Sequence, residues 1–318
     1  MRIIALVPGG IGDQLLFFPT LEDLKRTYPD AVIDVVVEPR AKAAYRVCKL
    51  VNDIVLFDFK DRNSPADWAN LLGIVRDRYY DVAISLGQRG GVAFLLWLTG
   101  VPVRIGYKST ASWLLTNPVP LKTEQYAAAM YHDLLQGVGI TTPCPPLSIQ
   151  LPKADLDWAE SERRNLGLST GYFMIHGGSS KLAQEKGIDK LYPVDSWKAI
   201  IQDIRQRQPE LPLVVVRGPE DDAMVDALVN AFPDLTVTTP PDIGKLAAMI
   251  AGANLMLCTD SGPMHMAIAL QVYTLALFGP TDPAKLMPQS DKFKAIKSPT
   301  GKMSDIKPAD VLKQVWGG

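Results

Sequence analysis

Three short segments combine glycine, hydroxyl and charged residues in a pattern typical of binding sites for phosphate groups. The first, residues 8–13 (PGGIGD), follows an apolar run and ends in Asp13. The second is residues 174–181 (MIHGGSSK), and the third, residues 255–265 (LMLCTDSGPMH), enters a predicted helix with Pro263 in its first turn. Helix amino ends and small hydroxyl residues bind anionic oxygens without a metal. The sequence therefore predicts a site for a diphosphate-containing ligand.

Asp13 has two compatible roles. At the start of a predicted helix it can act as a cap, which contributes about 1 kcal/mol to stability. The helix amino end also keeps a carboxylate ionised, which suits a general base that accepts a proton from a hydroxyl group. Hydride chemistry is disfavoured, because Gly10 and Gly12 begin the dinucleotide pattern G-x-G-x-x-G but Leu15 replaces its last glycine.

The third segment is the strongest candidate for binding a pyrophosphate. Backbone N–H groups of Gly262, Met264 and His265, with the Ser261 hydroxyl, are available at a helix start. Asp260 is expected to order the loop or to bind a ligand hydroxyl, because a carboxylate repels phosphate. For His265 alone, a structural hydrogen bond to a neighbouring loop is favoured over ligand binding.

Two other patterns have structural interpretations. Asp155 and Asp157 form the D-x-D pattern by which some enzymes hold a metal, but they lie at a likely helix start and are interpreted as caps. Residues 92–98 (VAFLLWL) are interpreted as a buried helix segment, with a surface for a lipid-linked molecule as the alternative.

These segments must be positioned by alternating strands and helices, which predict parallel sheets. The predicted strands are residues 2–7, 31–37, 54–57, 81–85, 103–106, 172–176, 213–217, 255–259 and 273–278. The predicted helices are residues 14–26, 124–136, 157–165, 196–206, 221–231, 243–251 and 263–270. Four prolines in residues 139–152 indicate a linker. We expect two Rossmann-like α/β domains, each a doubly wound parallel sheet, spanning residues 1–145 and 146–318.

Composition excludes several classes of protein. The 318 residues contain 33 Lys plus Arg and 34 Asp plus Glu, so no overall field favours nucleic acid. Three scattered cysteines and three histidines support neither a zinc site nor a disulfide framework. The first residues are too short an apolar run for a signal peptide, and no run reaches the roughly 20 residues of a membrane span. We expect a cytoplasmic protein without a transmembrane segment, and leave peripheral association with the inner membrane open.

Taken together, the motifs resemble those of the heptosyltransferases of glycosyltransferase family 9. The family's G-x-x-G-D motif corresponds to residues 9–13, and its D-[ST]-G-x-x-H loop to residues 260–265. The following F/Y-G-P-T-D-P loop corresponds to residues 278–283 (FGPTDP). A His-x-[GA]-[ST] segment corresponds to residues 176–180 (HGGSS), and a lysine before an aromatic-Pro pair to residues 190–193 (KLYP). The resemblance covers nearly the whole chain and implies a GT-B fold, in which two Rossmann-like domains face a central cleft.

The resemblance implies roles for particular residues. Asp13 would deprotonate the acceptor in an inverting reaction that needs no metal. The implied donor-binding residues are Gly12, Ser179, Ser180, Lys190, Glu220, Asp260, Ser261, Gly262, Pro263, Met264 and His265. Asp221 and Asp222 compete with Glu220 for the nucleotide ribose. The segment from Lys181 to Asp189 is longer than the family's usual spacer, so Lys181 or Lys186 could replace Lys190 as the phosphate contact.

The expected function is transfer of a heptose-like sugar from a nucleotide-diphosphate donor, with ADP as the family's usual nucleotide, and no further cofactor. The expected acceptor is lipopolysaccharide or another cell-envelope glycan or glycolipid at the inner membrane surface. A nucleotide-sugar epimerase of similar fold and a non-catalytic nucleotide-sugar binding protein are the alternatives. Consumption of donor only in the presence of acceptor would separate transfer from both.

Overall fold

The computed structural model describes residues 1–59, 63–88, 90–168, 171–178 and 187–317. The chain forms two compact units, Met1–Gln150 and Leu151–Gly318. Each unit contains one six-stranded sheet in which every paired strand is parallel to its neighbours. The predicted fold class, two doubly wound parallel-sheet α/β domains, is confirmed.

In the first unit the sheet order is β3-β2-β1-β4-β5-β6. The strands are β1 (Arg2–Val7), β2 (Val32–Val37), β3 (Asp53–Leu56), β4 (Val82–Ser85), β5 (Val103–Tyr107) and β6 (Asn117–Val119). The α-helices in the described part are α1 (Ile11–Thr27), α2 (Pro65–Asp77), α3 (Gly90–Thr99) and α4 (Ala127–His132). Short 3-10 segments cover Pro39–Val47, Ser112–Leu114 and Asp133–Val138.

The second unit repeats the same winding, with the sheet order β12-β11-β10-β7-β8-β9. The strands are β7 (Phe173–His176), β8 (Leu213–Val216), β9 (Thr236–Thr238), β10 (Leu255–Thr259), β11 (Tyr273–Phe278) and β12 (Phe293–Lys297). The α-helices in its described part are α5 (Lys153–Asn165), α6 (Val194–Arg207), α7 (Asp222–Ala231), α8 (Ile243–Ala251), α9 (Gly262–Ala269), α10 (Pro283–Leu286) and α11 (Pro308–Val315). A 3-10 segment covers Met303–Asp305.

The central strands form because they are apolar along their whole length. In β1 every residue from Ile3 to Val7 is buried, as expected for a parallel strand covered on both faces. In the second unit, the fully buried Trp197 of α6 packs in one core cluster with Ile175 of β7 and Leu257 of β10. Burial on both faces holds the carboxyl ends of these strands at fixed positions.

Both sheets have a point at which the chain reverses its winding direction. It lies between β1 and β4 in the first sheet and between β7 and β10 in the second. Ligands of open α/β sheets bind at the carboxyl ends of strands at such a switch point. Residues 8–13 follow β1, residues 177–178 follow β7 and residues 260–262 follow β10. The topology therefore brings the described residues of all three predicted segments to the two switch points.

Several features of the fold differ from the predicted elements, among them helices α2, α10 and α11, which were not predicted. The predicted helix at residues 124–136 is shorter, because α4 ends at His132 and continues as the 3-10 segment Asp133–Val138. Strands β6, β9 and β12 were not predicted. They lie in the outer part of each sheet, where one or both faces are less buried and the apolar signal is weak.

Candidate functional site

In the second unit, Asp260 joins three parts of the candidate site. It follows β10, its side chain is only 4% exposed, and its Oδ2 accepts hydrogen bonds from Lys190 Nζ at 2.5 Å and from Thr281 Oγ1 at 2.7 Å. Lys190 comes from the segment before α6, and Thr281 from the loop after β11. Because a buried carboxylate needs such partners, Asp260 orders the loops around the start of α9.

Helix α9 begins beside this ion pair. Ser261 is its N-cap in an extended conformation, and Pro263 occupies one of the first two helical positions. The Ser261 hydroxyl donates to the Thr259 carbonyl at 3.1 Å and lies 3.3 Å from His176 Nδ1. Of the N–H groups proposed for pyrophosphate binding, that of Met264 donates to the Ser261 carbonyl at 3.1 Å. Gly262 supplies another first-turn N–H group, which in a helix has no partner four residues back, whereas the N–H of His265 lies four residues after the N-cap carbonyl of Ser261.

His265 is a buried and uncharged member of α9. Its side chain is 4% exposed, and in the described part of the structure its Nδ1 has no hydrogen-bond partner. Burial lowers the pKa of His265 to about 4, although the nearby Asp260 carboxylate opposes this shift. The imidazole is therefore neutral at physiological pH. Within the described residues, Nδ1 of His265 therefore makes no structural hydrogen bond to a neighbouring loop.

Asp221 lies at the carboxyl ends of β7 and β8. Its Oδ2 accepts the Gly218 N–H at 2.9 Å and lies 3.4 Å from His176 Nε2. A Cβ atom at Gly178 would come within 1.8 Å of Asp221 Oδ1, so only glycine leaves room for this carboxylate. Burial tends to raise the pKa of Asp221, but the hydrogen bond and charge of His176 and the Gly218 N–H together lower it below its usual value.

The three acidic residues after β8 therefore differ in their surroundings. Glu220 is exposed, and Asp222 is exposed and pairs with Arg217 at 3.0 Å. Asp221, by contrast, is only 5% exposed and adjoins His176 next to the switch point. No local sequence signal separates Asp221 from Glu220 and Asp222, because the difference between them is burial in the folded unit. The predicted contacts Ser179, Ser180, Lys181 and Lys186 lie outside the described residues.

In the first unit, Asp13 occupies the third position of α1 and is partly exposed. Its Oδ2 accepts the N–H of the N-cap residue Gly10 at 2.7 Å, so Asp13 caps the helix. Gly12 precedes it in the first turn. Gly9 has φ = 121°, and a Cβ atom there would lie 2.2 Å from Asp13 Oδ2. The glycine before the helix is required both for the turn and for the position of the carboxylate.

Tyr131 of α4 is a contact of Asp13 that sequence reasoning missed. Its hydroxyl donates to Asp13 Oδ1 at 3.2 Å across 118 residues of chain. Burial, with the neighbouring Asp13 charge, raises the pKa of Tyr131 well above its usual range. The phenol is therefore protonated and remains a donor. A single tyrosine in an alanine-rich segment carries no sequence signal for this contact.

The D-x-D pattern is part of the fold of the second unit. Asp155 is fully buried in the first turn of α5 and lies 3.6 Å from Lys245 Nζ, whereas Asp157 is exposed. The N-cap of α5 is Pro152, which makes no side-chain cap hydrogen bond, so the interpretation of Asp155 and Asp157 as caps is wrong. Among residues with described positions, no group of three or more His, Cys, Asp and Glu is arranged to hold a metal ion. Within the same residues, no helix is long and apolar enough to cross a membrane.

Comparisons with known proteins agree with this arrangement. Lipopolysaccharide heptosyltransferase 3 of Escherichia coli is 26% identical over 85% of this chain and 81% of its own. The chloroplastic photosynthetic NDH subunit of subcomplex B 1 of Arabidopsis thaliana is 27% identical over 96% of this chain and 71% of its own. The structure of E. coli ADP-heptose LPS heptosyltransferase II superposes with a TM-score of 0.79 at 20% identity, covering 100% of this chain and 98% of that one.

The fold comparison confirms the expected GT-B class, since a heptosyltransferase structure matches over the full length. The model of glycosyltransferase family 9 (heptosyltransferase) matches residues 68–315, well over half of the chain. This range contains the Asp221 and Asp260 clusters as well as Tyr131. The chain therefore belongs to glycosyltransferase family 9, the heptosyltransferase family, and is a glycosyltransferase.

Proposed function

We propose that this protein transfers a heptose-like sugar from an ADP-linked donor to a lipopolysaccharide or other cell-envelope glycan acceptor, with inversion and without a metal. The cluster at the start of α9 carries the proposal. There a lysine, a serine hydroxyl and helix N–H groups come together at a switch point, which is the chemistry that a diphosphate requires. The unit Leu151–Gly318 would bind the donor, and the unit Met1–Gln150 the acceptor.

Lys190 supplies charge to this site in place of a metal ion. Its ammonium has three donor positions, of which one contacts Asp260, and its side chain is 20% exposed. Asp260 thereby orients Lys190 toward a ligand above α9. A cation, the Ser261 hydroxyl and the first-turn N–H groups together stabilise the negative charge that develops on a leaving diphosphate.

The hydroxyl groups of the ribose in the nucleotide sugar require a hydrogen-bonding partner near the carboxyl ends of β7 and β8. We assign this role to the loop after β8, with Glu220 as the contact and Asp221 as the residue that shapes the loop. Asp221 is held between Gly178 and Gly218 and so sets the path of the backbone around Glu220. The ADP identity rests on the heptosyltransferases named above and not on a contact of this chain.

Asp13 is the proposed general base. The lone pair of an acceptor hydroxyl oxygen forms a bond to the anomeric carbon, while the bond from that carbon to the diphosphate breaks with its electron pair leaving on ADP. The hydroxyl proton moves to the Asp13 carboxylate. Attack opposite the leaving group inverts the anomeric configuration. The Gly10 N–H and the Tyr131 hydroxyl support the base by orienting its two carboxylate oxygens.

The first test measures nucleotide selectivity by calorimetry with ADP, UDP, GDP and CDP. We expect selective binding of ADP, weakened about 10-fold or more by Lys190→Ala and by Ser261→Ala, because each removes a hydrogen bond to a charged group. Lys198→Ala is the matched control, since Lys198 is a partly exposed lysine of the same unit that pairs with Asp195. Equal affinity for all four nucleotides, or an equal loss of ADP affinity in the control variant, would show that the donor does not bind at the start of α9.

The second test measures transfer. Asp13→Asn should lower turnover by roughly 1,000-fold or more while donor affinity changes by only a few fold, because the amide cannot accept the proton. Product analysis by NMR reports the anomeric configuration, and added EDTA reports any dependence on a metal. Undiminished turnover in Asp13→Asn would exclude Asp13 as the base, and retained configuration would exclude single displacement.

One comparison favours a second candidate, a non-catalytic subunit that binds a nucleotide sugar. The Arabidopsis relative, 27% identical over 96% of this chain, is named as a subunit of a photosynthetic complex and not as a transferase. Donor binding without transfer to a wide panel of acceptors, unaffected by Asp13→Asn, would support this candidate.

A further inference from the structure

Helix α3 is apolar on its outer side as well as on its inner side. Residues 90–99 (GGVAFLLWLT) contain no charged side chain. Leu95 and Leu96 are buried, whereas Phe94 is 50% exposed and Trp97 is 49% exposed. The predicted buried helix segment is therefore buried on only one side. Since surface helices normally present polar residues to water, the outer side of α3 is suited to another surface.

The exposed surface continues beyond the helix. The 3-10 segment Ser112–Leu114 packs against α3, and its Trp113 is 79% exposed. The Phe94 and Trp97 rings are stacked with their centroids 5.9 Å apart, and Leu98 beside them is 36% exposed. We define Phe94, Trp97, Leu98 and Trp113 as the α3 patch. From the usual areas of aromatic side chains, the patch exposes roughly 450 Å².

The sequence around the patch carries only positive charge. Residues 82–123 contain no Asp or Glu, although acidic residues make up roughly one in nine of the whole chain. The same stretch contains the cations Arg89, Arg104, Lys108 and Lys122, of which Lys122 pairs with Asp133 at 3.3 Å. Lys108 is exposed in the loop that leads to Trp113. The neighbouring helix α2 contributes charges of both signs. An anionic surface therefore complements the α3 patch.

We propose that the α3 patch binds the interfacial region of an anionic lipid bilayer. Tryptophan and phenylalanine on the apolar side of an interfacial helix insert at the headgroup boundary, and nearby lysine and arginine attract anionic lipids. A second copy of the chain fits less well, because two such patches would bury roughly 900 Å² in total, below the about 1,200 Å² of stable interfaces. The proposal goes beyond sugar transfer and does not depend on it.

Vesicle flotation of the full chain tests the proposal. The vesicles are phosphatidylcholine alone or a mixture of phosphatidylcholine with phosphatidylglycerol. We expect the wild type to float with the anionic vesicles, and Trp97→Ser/Trp113→Ser to lower its partition coefficient at least 10-fold. The matched control is Tyr79→Ser/Tyr273→Ser, which removes two aromatic rings that are 85% and 57% exposed outside the patch. The control variant should float like the wild type.

Two further measurements make the outcome decisive. Lys108→Gln should weaken flotation with anionic vesicles several fold and leave the neutral ones unchanged. Urea unfolding followed by far-UV circular dichroism reports whether the patch variant remains folded, since the patch lies in the unit Met1–Gln150 and the proposed ADP site lies in the other unit. Absence of wild-type flotation, or equal flotation of the patch variant and the wild type, would overturn the proposal. So would a wild-type dimer that becomes monomeric in the patch variant, because the patch would then bind a second copy.

Discussion

The buried histidine of α9 should make the stability of the second unit depend on pH. Burial lowers the pKa of His265 to about 4 in the folded chain, against 6.5 in the unfolded chain. Between these two values the unfolded chain binds a proton that the folded chain does not, so the free energy of unfolding rises with pH. At about 1.4 kcal/mol per pH unit, His265 alone accounts for a loss of about 2 kcal/mol from pH 7 to pH 5.

Urea unfolding at pH 7, 6 and 5 measures this loss in the wild type and in His265→Gln, whose amide does not titrate. Trp197, fully buried in the second unit, provides a fluorescence signal for its unfolding. We expect the wild type to lose about 2 kcal/mol more than the variant over this range. Met264→Leu is the control, because it changes the neighbouring buried side chain and should retain the full pH dependence.

Comparing the wild type with His265→Gln also separates the effect of His265 burial from other causes of acid sensitivity. The lowered pKa of Asp221 affects stability only as the pH falls toward and below 3.8, outside the range measured. If the wild type and His265→Gln lose the same free energy between pH 7 and pH 5, then burial does not keep the imidazole neutral. The argument for an uncharged His265 in the proposed donor site would then be wrong.

Two further predictions concern the contacts around Asp221 and Asp13. Gly178→Ala should lower the free energy of unfolding of its unit by about 2–4 kcal/mol, because the new Cβ displaces the buried Asp221 carboxylate. The control Gly73→Ala, which has open space around it in α2, should raise the free energy of unfolding by about 1 kcal/mol. Urea unfolding measures both variants, and equal effects would contradict the packing argument. Tyr131→Phe should lower turnover about 10-fold in the wild type but have little effect in an Asp13→Asn background. Steady-state kinetics of the single and double variants measures both effects. Additive losses would show that the tyrosine does not act through Asp13.

The sequence predicted the central strands well for a physical reason. Strands β1, β10 and β11 have the predicted bounds, since strands buried on both faces are continuous apolar runs flanked by turn residues. The outer strand β6 contains Pro118, and β9 has only three residues, so neither pattern stands out from a loop. These segments become strands because they pair with a sheet that has already formed. No local sequence pattern indicates that pairing.

The candidate site could be predicted only in part. The glycine and hydroxyl residues next to the strands were found, because their types are local signals. The contact of Lys190 with Asp260 spans 70 residues, and that of Tyr131 with Asp13 spans 118, so both depend on the topology. Among the adjacent acids after β8, only burial distinguishes Asp221 from its neighbours, and burial is a property of the folded unit.

The shared winding of the two sheets has a consequence for synthesis of the chain. Strands β7, β8 and β9 emerge from the ribosome before β10, yet β10 is the neighbour that covers the other edge of β7. Until residues 255–259 have been made, the nascent half-sheet carries an apolar open edge, which is a template for wrong pairing. A translational pause shortly before β10 should therefore increase misfolding and chaperone binding, whereas a pause after β12 should not.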